Sequence, residues 1–295
     1  MKHRLAILIP YFGAWPAWMN FFVESCRWNR DVDWFLFSDN DPPDNRCSNV
    51  RHVRLSIADH NSLVSEALDI RFTPPDAYKL CDVRPALPFV HRSLLADYDF
   101  VGFGDLDVIY GDVRSFYDDA TLDIYDLLST HANRVSGHLC LMRNEERMIT
   151  AFKQIRGWRR LFQQGQHAGT DERDFYNVFR GRGAKLGSRL GRDGPRCLFR
   201  EAYSTPAAGA DMRWCWKDGR LTNEFYPHHP FMYLHFMNWH SNRWYGEQPG
   251  YSADSAAPWT RLSQLAQIDW KSARRSGFSI SPAGILPLDE PAAAG

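Results

Sequence analysis

Asp105 and Asp107 stand one residue apart in FVGFGDLDVIYGD (residues 100–112), a stretch otherwise apolar and spaced by glycine. Strand alternation would turn both carboxylates to one side and Leu106 to the other, into the core. Two carboxylates so placed cannot both ionise cheaply unless a cation sits between or beside them. A hard divalent ion meets that need, because Mg²⁺ and Mn²⁺ prefer oxygen ligands and commonly take one or two carboxylates together with substrate phosphates. The competing reading has Asp107 capping a turn and Asp105 paired with one of the many arginines. Position favours the metal: in open parallel sheets ligands bind beyond the carboxyl ends of the strands, and this pair ends one. Gly102, Gly104 and Gly111 allow close backbone approach there.

Other residue types with chemical potential gather at similar places. Lys79, Asp82 and Arg84 lie together in KLCDVRP, where the fork of Arg84 suits a phosphate or carboxylate and Pro85 and Pro88 suggest a special geometry. They fit a solvated helical face with an internal salt bridge as well. Tyr11 closes the first apolar run and Asp39 the second, so an aromatic ring and an acceptor for a base or ribose would face the same side. Core packing for Tyr11 and a turn cap for Asp39 are the plainer readings. Asp171 and Glu172, in GTDERDF, open a helix and read from the residues alone as a negative first turn favoured by the helix dipole. Gly137-His138 reads equally as a bulge glycine before an ordinary strand histidine. Arg156, Arg159 and Arg160 around Trp158 read as a solvated basic face. His228, His229, His235 and His240 show no standard zinc spacing.

The elements that must position these groups read as an α/β chain. LAILIPYF is a buried strand, and a helix opens at Trp15-Pro16 and runs to about Arg27. WFLFSDND and VRHVRLSI are further strands and ADHNSLVSEAL a helix, an order that predicts a largely parallel, doubly wound sheet. Residues 75–97 look helical at both ends and broken at Pro85 and Pro88. YDFVGFGDL and VSGHLCLMRN follow as strands; NEERMITAFKQI is a helix with Asn144 as N-cap, and DERDFYNVFRG (171–181) another. RWCWKDGRLTNEF predicts a hairpin at Asp218-Gly219, and FMYLHFMNW (231–239) an aromatic strand. The elements predict one domain over 1–280. The Pro/Ala-rich residues 281–295 read as a flexible tail.

With 295 residues the chain can bury a sizeable core without staples. Lys plus Arg and Asp plus Glu are both 35, so no overall field argues for nucleic acid, and any anion must be gripped locally. The six cysteines include no C-x-x-C pair, which points to free thiols rather than a zinc finger or disulfide framework. LAILI is too short for a signal h-region and no run approaches the roughly 20 apolar residues of a membrane span, so a cytoplasmic location is expected. The aromatic content leaves room for a sugar-facing patch or contact with the inner face of the membrane.

D-L-D at a strand end, preceded by K-L-C-D-V-R-P, resembles the nucleotide-sugar-dependent glycosyltransferases of the GT-A fold. More narrowly the chain looks like metal-dependent bacterial enzymes with a K-x-x-D-x-R-P helix, a Y-D-F…D-L-D strand and a later G-H-L segment. The resemblance runs from the first strand to about Trp239 and is most specific over residues 78–112. It implies a GT-A-like, Rossmann-type sheet with flanking helices and a C-terminal hairpin-containing acceptor region, in a single catalytic domain over 1–280 whose nucleotide-sugar half is at about 1–112 and acceptor half at about 113–280. It further implies transfer of a hexose-type sugar from a UDP- or GDP-sugar to a hydroxyl of a glycan, lipid-linked saccharide or small acceptor, in bacterial surface glycan biosynthesis. Asp105, Asp107 and His235 would then hold Mn²⁺ or Mg²⁺, with Lys79, Asp82, Arg84 and His138 near the donor and Asp171 or Glu172 as base. A satisfied packing histidine is the other reading of His235. A nucleotidyltransferase would carry a Gly-rich basic loop after its first strand, and YFGAWPAW has one Gly and no Lys or Arg. A carbohydrate-binding module would have no use for D-L-D, K-x-x-D-x-R and His235 together.

Overall fold

The computed structural model describes residues 2–180, 194–202, 204–206, 212–240, 259 and 266–288. Its first strand, β1 (Leu5–Pro10), is apolar at almost every position because both of its faces are covered. Leu5, Ile7 and Ile9 enter one core cluster, while Ala6 and Leu8 enter the cluster on the other face. The next strand, β2 (Val32–Ser38), divides the same way, with Val32, Trp34 and Leu36 on one side and Phe35 and Phe37 on the other. Between them helix α1 (Met19–Arg27) begins three residues after Pro16, whose carbonyl accepts from the Met19 amide. Helix α2 (Ile57–Leu68) starts where Ser56 accepts from the Asp59 amide, a capping bond that fixes the boundary.

The central sheet has seven strands. Besides β1 and β2 it contains β3 (Val50–Arg54), β4 (Phe100–Gly104), β6 (Leu127–Ser129), β7 (Leu139–Arg143) and β8 (Cys197–Phe199), in the order β3-β2-β1-β4-β7-β6-β8. All run in one direction except β7, which is antiparallel to β4 and β6. The expected α/β fold with a mostly parallel sheet is the observed one. Gly102 marks the tight crossing of β4 and β7: a Cβ there would lie 1.9 Å from the Cys140 carbonyl oxygen.

The DG hairpin forms as expected between β9 (Trp214–Lys217) and β10 (Arg220–Asn223), with Asp218 at φ 50° and Gly219 at φ 75°, the backbone a primed turn requires. It is part of a five-stranded antiparallel sheet with β11 (Tyr226–Phe231), β13 (Phe278–Ser281) and β14 (Gly284–Pro287). The expectation of a flexible tail from 281 is therefore corrected for its first part, since Ile280 and Ile285 are fully buried in the core of this sheet. Residues 289–295, and the expected last helical residue 181, lie outside the described residues.

Three further expectations change. Residues 231–239 are not one strand: β12 (Tyr233–His235) is short, pairs antiparallel with β5 (Val108–Tyr110), and gives way to a helical turn over Met237–His240. Pro85 and Pro88 do not break the chain, because Ala77–Ala86 is a 3₁₀ helix that passes into a short α-helix at Leu87–Val90, with Pro88 in its first turn. Asn144 does not cap a helix; its side-chain amide donates to the carbonyls of Leu95 and Tyr98 and ties β7's end to the loop before β4.

Candidate functional site

Asp105 and Asp107 lie just beyond β4, in the three-residue link to β5. Leu106 anchors that link: its side chain is buried and its carbonyl accepts from the Trp18 indole at 3.1 Å. The Asp107 carbonyl accepts from the Phe236 amide at 3.0 Å. With Leu106 turned inward, both carboxylates face one cleft. The strand alternation expected for them is replaced by an anchored link, and the shared side survives.

His235 comes to the same cleft on β12, paired with Val108 of β5. Ligand-capable atoms of Asp105, Asp107 and His235 lie within 4.8 Å of one another. Thr205 Oγ1 lies 3.2 Å from His235 Nδ1, which leaves Nε2, 3.6 Å from Asp107 Oδ1, for the cleft. His240 adds a contact that spacing along the sequence does not announce, its Nε2 2.8 Å from Asp107 Oδ2. The turn that brings it round begins only after β12, where the sequence reads as continuing strand. Two carboxylates with one or two imidazoles form a donor set suited to Mn²⁺ or Mg²⁺.

Arg84 joins the cluster from the 3₁₀ helix. Its Nη2 donates to Asp105 Oδ1, and its Nη1 donates to Asp171 Oδ2 at 3.1 Å and to the Gly137 carbonyl at 3.2 Å. Gly137 has no room for a side chain here, since a Cβ would lie 2.9 Å from Arg84 Nη1 and 3.1 Å from Asp171 Oδ2. Burial pushes the Asp105 carboxyl up to about 6, Arg84 pulling it down and Asp107 pushing it further up. Burial acts on Asp107 too, but the charge and hydrogen bond of His235, with His240, outweigh it and hold that carboxyl well below the ordinary range. The pair thus behaves as two coupled acids, one holding its proton more tightly than a free aspartate. Asp171, 3% exposed, is pushed up to about 7 by burial against the pull of Arg84.

Several expected site residues are placed elsewhere. Lys79 is buried with all three ammonium protons engaged, donating to Asp82 Oδ2 at 2.7 Å and to the carbonyls of Leu161 and Gln166. Asp82, fully buried, accepts from the amides of Ala168 and Thr170 and from the Thr170 hydroxyl. Both are engaged within the protein, and together they pin the segment that leads into a wide π-type turn over Thr170–Asp174 and so set Asp171, which has a ligand-capable atom within 4.8 Å of ones on Asp82 and His167. His138 is also corrected, because it is buried beneath His235, ring on ring at 3.8 Å, with Nε2 shared by Tyr233 Oη at 2.9 Å and Ser136 Oγ at 3.0 Å. Burial lowers its basicity well below that of an ordinary histidine, and His235 and His131 add to the effect.

Tyr11 and Asp39 stand at the strand ends as expected. The Tyr11 ring stacks on Trp15 at 5.4 Å, and its phenol pKa is raised by burial and by Asp107. Asp39 Oδ1 accepts from the Gly13 amide at 3.4 Å, where Gly13 takes φ 107°. Glu172 is more open than Asp171 and lies 3.5 Å from Arg134 Nε. Arg156, Arg159 and Arg160 are exposed, Arg159 lying over the Trp158 ring, away from any described site.

Fold and cleft define the class: an α/β protein with an acidic, histidine-flanked site at the carboxyl edge of a mostly parallel sheet. Residues 7–249 match the model of a family of unknown function (DUF6625), and the chain belongs to that family. No curated protein matches the sequence. Solved structures to which it is similar include a galactosyltransferase LgtC in complex with donor and acceptor sugar analogues, at 13% identity and TM-score 0.42, covering 89% of this chain and 98% of that one. Another is the apo form of glycosyltransferase GlyE of Streptococcus pneumoniae TIGR4, at 9% identity and TM-score 0.38, over 67% of this chain and 45% of that one. A third is apo mouse xyloside xylosyltransferase 1, at 10% identity and TM-score 0.35, over 60% of this chain and 81% of that one.

Proposed function

We propose that the protein is a metal-dependent glycosyltransferase that moves a sugar from a UDP- or GDP-sugar to a hydroxyl acceptor, in bacterial surface glycan biosynthesis at the inner face of the membrane. One observation carries the reading: Asp105, Asp107 and His235 converge within 4.8 Å at the carboxyl edge of the sheet. Mn²⁺ or Mg²⁺ held there would supply Lewis acidity for a departing nucleoside diphosphate. Tyr11 and Asp39, on neighbouring strand ends, would take the base and ribose. Arg84 would orient Asp105 and offer positive charge beside the phosphates, and Asp171, its carboxyl pushed up to about 7 by burial, would in its deprotonated form serve as base for the acceptor hydroxyl.

Isothermal titration with UDP and with GDP, each with and without Mn²⁺, tests this. Wild type is expected to bind one of them only when Mn²⁺ is present, and Asp107→Asn to lose at least about tenfold in that affinity, about 1.4 kcal/mol. Metal-independent binding, or Asp107→Asn binding as wild type does, would sink the proposal.

A further inference from the structure

We propose that a cavity beside the cleft, walled by Thr130, Arg200, Ser204 and Phe231 and rimmed by Phe116 and Tyr226, binds the acceptor, and that the acceptor is an oligosaccharide of two or more residues. The inference rests on the transferase reading and adds to it the class and place of the acceptor.

The sheet fixes the cavity's position. Thr130 follows Ser129, the last residue of β6, and Ser129 pairs with Cys140, which pairs with Phe103. Thr130 therefore stands level with Gly104 and Asp105, on the same edge and two strand spacings away, about 10 Å. The wall between cavity and cleft is thin. The Ser204 carbonyl accepts from the His235 amide at 2.9 Å, and the neighbouring Thr205 hydroxyl lies against the His235 ring. Thr130 Oγ1 donates to Ser136 Oγ at 2.7 Å, which in turn reaches His138 Nε2.

Size and lining suit a saccharide. At about 690 Å³ the cavity falls within the range of small-molecule sites and holds more than one ring. Tyr226 and Phe116 are 61% and 37% exposed at its rim, rings whose faces the C–H surface of a sugar can cover. Arg200, exposed on the wall, offers a guanidinium for sugar hydroxyls and makes no ion pair with a described residue, while the Thr130 and Ser204 hydroxyls are spent within the protein. About 10 Å exceeds the breadth of a pyranose ring, so a ligand that fills the cavity and also presents a hydroxyl at the cleft must continue through a second residue.

The test uses an array of defined mono- and oligosaccharides, probed with wild type, Tyr226→Ala and Ala202→Trp in the presence of Mn²⁺ and the nucleotide that binds. Ala202 lines the cavity, so a tryptophan there fills it; Tyr226 is exposed, so its truncation leaves the fold intact. Wild type is expected to retain oligosaccharides and not monosaccharides. Ala202→Trp should retain none, and Tyr226→Ala should bind the best glycan about tenfold more weakly with unchanged nucleotide affinity. If Ala202→Trp does not fold, Tyr226→Ala decides alone. Equal glycan binding by wild type and the variants, retention of monosaccharides only, or no glycan bound by a protein that does bind nucleotide with Mn²⁺ would overturn the inference while leaving the transferase reading intact. Failure to bind any nucleotide would overturn both.

Discussion

Arg84 is one guanidinium facing Asp105 and Asp171 directly, with Asp107 close by. Burial penalises the charged form of Asp105 and Asp171 more than Arg84 favours it, and Asp171 is the clearer case. Its carboxyl is pushed up to about 7, against about 3.9 in an unfolded chain. Between those values the folded state binds more protons than the unfolded one, so this group's contribution to stability falls as pH rises from about 4 to about 7. Asp171→Asn removes that slope. Urea unfolding from pH 4.5 to 7.5 should show wild type losing stability relative to the variant as pH rises, and a constant difference would refute the assignment. The sequence made part of this site legible. Asp105 and Asp107 are visible because like charges one residue apart in an apolar strand need a cation wherever the chain goes. Arg84 is visible as a candidate, but its two carboxylate partners come from distant segments. His240 is hidden by the change from strand to helix after His235, for which an aromatic run gives no local signal.

At the scale of elements, the ion pair of Lys79 and Asp82 acts through the segment it holds. Its members are 1% and 0% exposed, and burial, which alone would raise the Asp82 carboxyl, is outweighed by bonds from His167, Lys79, Thr170 and Ala168. Lys79→Met leaves a buried carboxylate without its ammonium and should cost about 3–5 kcal/mol by thermal or urea unfolding. Adding Asp82→Leu should recover much of that stability, since apolar replacements of buried pairs are often tolerated. It should not recover metal-dependent donor turnover, because the amides of Ala168 and Thr170 still lack their acceptor and Asp171 loses its support. Recovery of both would reduce the pair to packing. Apolar runs at β1, β2 and β4, the Ser56 cap and the DG turn were readable because each is set by local chemistry. The 3₁₀ stretch through Pro85, the reversed β7 and the strand at Gly284–Pro287 were not, because tertiary contacts decide them.

Across the whole molecule, α1 joins the two sheets. Phe22 and Val23 pack into the core of the central sheet, while Phe21 packs into that of the antiparallel one. The Trp216 indole donates to the Tyr110 carbonyl at 2.8 Å, and Arg274 donates twice to Glu24, which is fully buried on α1. Burial raises the Glu24 carboxyl, but the bonds from Arg274, Asn45 and Arg27 hold it below the ordinary range. Its stabilising contribution is therefore present above the unfolded pKa, about 4.3, and is lost as pH falls below that. Because the Arg274 side chain is 40% exposed, Arg274→Ala should cost only about 1 kcal/mol at neutral pH and less near pH 3. The shared helix makes a second demand: if the two sheets open together, that loss must fall on both. Hydrogen exchange at neutral pH should then accelerate equally in peptides from β1 and β4 and in peptides from β9 and β13. Acceleration confined to β9 and β13 would mean that the antiparallel sheet opens separately and that residues 1–280 are not one cooperative unit.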